Sequence, residues 1–154
     1  MIYWQNLSFQ QLSTQQLYEI LKLRVDIFVV EQQCPYPELD EKDIQEGVNH
    51  VIGSRNGHII AYARLLPKGL SYKDASIGRV VIKTSERGYH LGHELLTTAL
   101  DQCEKLWPGQ SITIGAQSHL QQFYTRHGFI PVSDCYLEDG IPHIDMQLYK
   151  PQTQ

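Results

Sequence analysis

The chain has 154 residues, 42% hydrophobic and 19% charged, a composition that suits one ordinary globular domain able to bury its own core. Its 13 Lys and Arg are scattered among 17 Asp and Glu, for a net charge of −4, so there is no basic stripe and a nucleic-acid partner is not expected. The three cysteines, Cys34, Cys103 and Cys135, are odd in number and form no C-x-x-C pair, which argues against a disulfide framework or a thiolate zinc site and suits reduced thiols in the cytoplasm.

The N-terminal MIYWQNLSFQQ has no basic stretch followed by a long apolar run, so no secretory signal is expected. No apolar segment approaches the roughly 20 residues needed to cross a bilayer, and no membrane partner is expected. A first strand at IYW is followed by Ser13 and Gln16, spaced as a capping box, and then by Leu17, Ile20, Leu21, Ile27 and Phe28 at helical intervals. These predict a helix to about Phe28. The acidic, proline-interrupted VVEQQCPYPELDEKDIQEG predicts an irregular segment, suited to a substrate wall. NHVIGSR and HIIAYARLL flank Asn56-Gly57 and predict an antiparallel hairpin, because both turn positions need positive φ.

SIGRVVIK predicts the next strand, and Leu91, Leu95, Leu96, Ala99, Cys103 and Leu106 predict a long amphipathic helix stopped at Pro108-Gly109. SITIGA reads as a strand and SHLQQFYTRHG as a helix closed by Gly128; FIPVSD and HIDMQLYK read as terminal strands around the turn EDGIP. No repeat or linker divides the chain, so residues 1–154 are expected to form a single domain.

The junction VVIKTSERGYHLGHELL joins a β-branched strand to that long helix. A helix N-terminus exposes unpaired N–H groups and partial positive charge, glycines let a phosphate approach the backbone, and Arg87 adds a cation. RGYHLG therefore has the parts of a pyrophosphate cradle; a tight strand-to-helix connection needing glycine for steric reasons alone stays open. The P-loop and G-x-G-x-x-G patterns are absent, and an antiparallel hairpin precedes the loop, which disfavours P-loop and Rossmann folds. His90, His93 and Glu94 lack a third well-placed ligand, so no metal site is expected.

VVIKTSERGYHLGHELL resembles the acyl-coenzyme A loop of the GNAT superfamily of N-acetyltransferases, [QR]-x-x-G-x-[GA] after a β-branched strand, and HLQQFYTRHGFIPV is similar to that family's second signature. LRVDIFVVEQQCPY, AYARLL, IGRVVI, GAQSHLQQFY and EDGIPHI resemble its ElaA-like branch. The resemblance implies an α/β (α+β) GNAT acyl-CoA N-acyltransferase fold with a central mixed, mostly antiparallel sheet of six to seven strands flanked by helices. One departure stands out: His90 occupies the position of the motif's first glycine. If that position needs positive φ, histidine costs on the order of 1–2 kcal/mol there, unless Gly88 and Gly92 carry the turn.

The resemblance further implies acetyl-CoA as cosubstrate and, as acceptor, a small-molecule or peptide amine attacking directly in a ternary complex. The main chains of Val80, Val81 and Ile82 would hold the pantetheine arm and acetyl carbonyl. Arg87, Gly88, Tyr89, His90, Leu91, Gly92 and His93 would hold the pyrophosphate, and Gln117 would contact the coenzyme. Tyr124 falls where the family places a phenol near the coenzyme sulfur, as general acid; by itself a helical tyrosine beside Phe123 reads as packing. The sequence leaves the base open among Glu31, His119 and His143. Arg24, amid an apolar helix face, is expected to pair with a carboxylate. A non-catalytic acyl-CoA-binding module, an enzyme like the acyl-homoserine-lactone synthases, and a monomer or a homodimer all remain open.

Overall fold

The computed structural model describes residues 1–88 and 90–151. Strand β1 (Tyr3–Ser8) leads to α1 (Thr14–Arg24), which Ser13 caps by accepting from the Gln16 N–H while the Gln16 side chain accepts from the Ser13 N–H. The helix does not stop at Arg24. It widens into a π-helical stretch, Val25–Glu31, a form that turns side chains out of the register an α-helix would give them. The following segment is irregular as expected, with one short turn at Lys42–Ile44.

Strands β2 (Asn49–Arg55) and β3 (His58–Leu66) form the expected hairpin, with Asn56 at φ 53° and Gly57 at φ 79° in the two turn positions. Strand β4 (Ser76–Ile82) completes a four-stranded antiparallel sheet in the order β1-β2-β3-β4. Helix α2 (Leu91–Leu106), strand β5 (Ile112–Gln117) and the short α3 (Gln121–Thr125) follow. Strands β6 (Ile130–Pro131) and β7 (Tyr136–Glu138) both pair with β8 (Ile141–Leu148), which pairs with β5. The terminal hairpin therefore contains one strand, β7, beyond those expected.

Alternation along the strands sorts side chains onto two faces. Val51, Ala61, Ala63 and Leu65 pack under Leu95, Leu96, Ala99 and Cys103 of α2, in a core that continues through Ile112, Ile114, Phe129 and Met146. Ile52, Tyr62 and Val81 point the other way, onto Ile20 and Leu23 of α1 and Ile27 beyond it. The central strands are thus covered on both faces, which explains why HIIAYARLL is nearly continuous in hydrophobicity.

The two sheets meet along β4 and β5. A single parallel bridge joins Ala75 to Ile112, with the Thr113 N–H donating to the Ala75 carbonyl at 2.9 Å. Beyond it the strands diverge. A bulge opposite Ala63 helps: Tyr62 pairs with Val81 and Arg64 with Gly78, so Arg79 and Val80 together face one residue of β3. Arg79 takes the left-handed conformation there, at φ 54°.

Candidate active site

The divergence of β4 and β5 opens a cleft of about 970 Å³. Val80, Val81 and Ile82 line one wall, and Ile114, Gly115, Ala116 and Gln117 the other. The turn before α2 closes one end, the π-helical stretch supplies Phe28 and Glu31, and the β7–β8 hairpin supplies Glu138, Ile141 and His143. Of the residues singled out from sequence, all described ones line this space: Val80, Val81, Ile82, Arg87, Gly88, His90, Leu91, Gly92, His93, Gln117, Tyr124, Glu31, His119 and His143. Tyr89 lies outside the described residues.

At the cradle end, Gly88 has φ 93° and His90 φ 57°, so the position where a histidine replaces a glycine does need positive φ. Gly92, by contrast, sits in the first turn of α2 with ordinary helical geometry. Its role is steric: a Cβ there would lie 3.3 Å from the Phe123 ring. His90 is the N-terminal flanking residue of α2, and its side chain caps nothing. The His93 and Glu94 N–H groups donate to the His90 carbonyl, and among the described residues the amides of Leu91 and Gly92 have no helical acceptor. Arg87 is exposed and pairs with Glu31 at 3.0 Å. His93 hydrogen-bonds His127 at 2.8 Å, and its ring lies tilted against Phe123, with 4.7 Å between ring centroids. Burial and the neighbouring His93 both push the His127 pKa down.

Tyr124 is buried, edge-on to Phe123 and Phe129. Burial alone pushes its phenol up to about 12. Gln117 makes a reciprocal amide pair with Gln32, at 3.2 and 3.4 Å, linking the end of β5 to the end of the π-helical stretch.

The three candidate bases differ sharply in setting. Glu31 is engaged by Arg87 and by Thr84, whose hydroxyl donates to it at 3.0 Å. His119 is exposed in the turn Ser118–Leu120. His143 is buried against the Tyr136 ring. Its Nδ1 lies 2.7 Å from the Ile141 carbonyl, which can only accept, so Nδ1 carries the proton and Nε2 of the neutral ring is an acceptor. That Nε2 lies 3.4 Å from Glu138.

Sequence reasoning missed Tyr72, Gly78 and Gly115, which line the cleft, and Asp145, which holds Tyr72 in place. Asp145 accepts from Tyr136 at 2.6 Å and from Tyr72 at 3.2 Å, beneath Gly115, where an added Cβ would lie 2.8 Å from the Tyr72 hydroxyl. Gly78, across the cleft on β4, would meet nothing within 4 Å. No local pattern marks Tyr72 or Asp145, which lie 73 residues apart.

Arg24 is fully buried and paired as expected: its Nε donates to Glu38 at 2.6 Å and its Nη1 to Asp43 at 2.7 Å. Arg64 bridges Asp40 and Asp43, and Arg79 binds Glu38 and Asp40, so three arginines and three carboxylates form one lattice, of which Asp40, Arg64 and Arg79 line the cleft. Burial works against the Asp40 charge, but Arg64 and Arg79 outweigh it and hold that carboxyl at about 2.

The Acetyltransferase (GNAT) domain profile matches residues 11–150. This chain belongs to the GNAT acetyltransferase family. It is 44% identical to Protein ElaA of Escherichia coli over 146 residues, 95% of each chain. The crystal structure of that ElaA superposes with a TM-score of 0.90, covering 96% of this chain and 99% of ElaA. An acyl-CoA N-acyltransferase from Pseudomonas aeruginosa, 41% identical, gives a TM-score of 0.91 over 96% of this chain and 99% of its own. An aminoglycoside 6′-N-acetyltransferase complexed with coenzyme A, 13% identical, shares the fold with a TM-score of 0.70 over 93% of this chain and 95% of its own. The GNAT fold expected from sequence is the observed one, with eight strands divided between two sheets. Among the described residues no helix is long and apolar enough to cross a membrane, and no group of three or more His, Cys, Asp or Glu side chains is placed to hold a metal ion.

Proposed function

We propose that residues 1–154 act as one transferase unit that moves an acetyl group from acetyl-CoA to a primary amine by direct attack in a ternary complex. The observation that carries this reading is the cleft between β4 and β5, with a helix N-terminus at one end and a buried phenol on its wall. The thioester supplies an activated acyl carbon. The amides of Leu91 and Gly92 in the first turn of α2, with Arg87 released from Glu31, suit the coenzyme's phosphates, and Gly88 lets the backbone approach them. The wall of β4 beyond the bulge supplies main-chain groups for the extended pantetheine arm.

The chemistry then needs a neutral amine, a donor for the oxyanion and a proton for the departing thiolate. His143 is the base this reading prefers, because its Nε2 is an acceptor on the cleft wall and Glu138 stands ready to pair with the resulting imidazolium. As the C–N bond forms and the C–S bond breaks, the amine proton passes to His143 and the thiolate takes a hydrogen bond, then a proton, from Tyr124. Purified protein incubated with acetyl-CoA and a panel of primary amines should release free thiol with at least one of them. Coenzyme binding by calorimetry without turnover of any amine would make the chain a binding module instead.

A further inference from the structure

The acceptor end of the cleft is electrically divided. On the β4 side, Lys42, Arg64 and Arg79 line it with one carboxylate, Asp40; on the β7–β8 side, Glu138, Asp139 and His143 do. The Cys34 thiol, in the irregular segment that leads to Lys42, donates to the Asp139 carbonyl at 3.4 Å.

The β4 side carries a surplus of positive charge. Arg24, Arg64, Arg79 and Lys42 face the carboxylates Glu38, Asp40 and Asp43, four charges against three, and Lys42 donates to the Ser71 hydroxyl rather than to an acid. Arg79 is held rigidly. Its Nε and Nη2 are fixed on Glu38, and its guanidinium lies 5.8 Å from the centre of the Tyr36 ring. No described residue accepts from its Nη1, although the side chain remains 22% exposed. A non-glycine residue in the left-handed region costs about 1–3 kcal/mol and persists where the surroundings impose it, commonly at ligand sites. At Arg79 that conformation lies beside Gly78, whose missing side chain leaves open space next to the guanidinium.

We propose that the acceptor is a zwitterion, an amine that also carries a carboxylate, with the carboxylate bound by Arg79 Nη1 and Lys42 and the amine directed to His143 and Glu138. A guanidinium with two nitrogens anchored and the third free is preorganised for an anion, and loses little freedom on binding it. The opposite pole draws the ammonium form of the amine and accepts its proton. Free amino acids and peptides with an acidic residue beside their amino terminus share this chemistry. Doubly cationic amines would set one charge against Arg79 and Lys42. This inference rests on the transferase reading for its amine pole, whereas the carboxylate pole is testable by binding alone.

The test has two arms. In the first, protein saturated with coenzyme A is titrated calorimetrically with L-amino acids, their carboxamides, dipeptides with an acidic second residue, and spermidine. Carboxylate-bearing amines should bind at least about tenfold more tightly than the matching amides, the lower range for a hydrogen bond to a charged group. In the second, thiol release from acetyl-CoA is followed with the same compounds, and kcat/KM should show the same preference. Both preferences should collapse in Arg79→Asn, which tolerates positive φ, and weaken in Lys42→Ala, while coenzyme affinity holds in each. Free amino acids outranking the dipeptides would identify the carboxylate as the α-carboxylate, and the reverse order an acidic side chain. Carboxylate-selective binding without thiol release would sink the transferase reading and keep the pocket. Equal use of amides or spermidine, or a preference untouched by both substitutions, would overturn the proposal while leaving acetyl transfer standing.

Discussion

Replacing Tyr124 by phenylalanine is a clean perturbation, because burial is the only influence on its phenol and no protein charge or hydrogen bond contributes to the shift. The aromatic packing on Phe123 and Phe129 is kept, and no protein hydrogen bond is lost, so thermal stability should stay within about 1 kcal/mol of the parent. The catalytic cost follows from the raised pKa. A phenol near 12 facing a thiol of about 8.5 must give up its proton uphill by about 3.5 units, near 5 kcal/mol. Early in the reaction the hydroxyl therefore acts as a hydrogen-bond donor to the developing thiolate, a contribution of about 1.5–3 kcal/mol. In rate that is about 10- to 150-fold in kcat, below the upper range of full general-acid catalysis. Steady-state thiol release should show this loss with the KM for acetyl-CoA changed less than about twofold, because the interaction strengthens only as charge appears. A natively folded Tyr124→Phe protein with full kcat, or with a defect confined to KM, would refute the role.

Gly92→Trp should weaken coenzyme binding at least about 100-fold by calorimetry, since the Phe123 ring at 3.3 Å leaves a large side chain only the cradle to enter; unchanged affinity would remove the cradle from the argument. Arg24→Met leaves Glu38 to Arg79 and Asp43 to Arg64, which holds the cost near the low end for a broken buried pair, about 3 kcal/mol, or roughly 6–12 °C in Tm; a shift under about 2 °C would show the lattice to be dispensable. Asp40 in the folded protein titrates at about 2, below its ordinary 3.8, so its stabilisation is complete above that value and drains away as pH falls toward 2. Asp43 shifts the same way, burial opposing its charge and Arg24 and Arg64 outweighing the burial. Urea unfolding between pH 6 and pH 2 should show the decline concentrated at the acid end, and a flat profile would contradict it. His143→Gln should lower kcat/KM by about 100-fold or more, the range of general-base catalysis; full activity in the folded variant would move the base elsewhere.

Much of this architecture is written locally. Ser13 and Gln16 satisfy each other's backbone groups within four residues, and Asn56-Gly57 meets a demand for positive φ made by the two turn positions themselves. The start of α2 was equally legible, since the resemblance places glycines and an arginine where a phosphate would sit. The π-helical stretch was not. Val25–Glu31 continues the apolar residues of α1, and its composition gives no sign of the wider turn. SIGRVVI likewise reads as an even strand, and nothing in its composition announces that Arg79 and Val80 share one partner position. The contact behind Gly115 escaped notice for a further reason: Tyr72 and Tyr136 meet on Asp145, and such convergence depends on topology that no sequence window contains.

The bridge at Ala75 and Ile112 has one more implication. A free sheet margin ordinarily invites a foreign strand, with aggregation as the hazard. Here two margins confront each other across a crevice whose floor is closed by that bridge, so the backbone groups each would offer a foreign strand face into the cleft instead of outward.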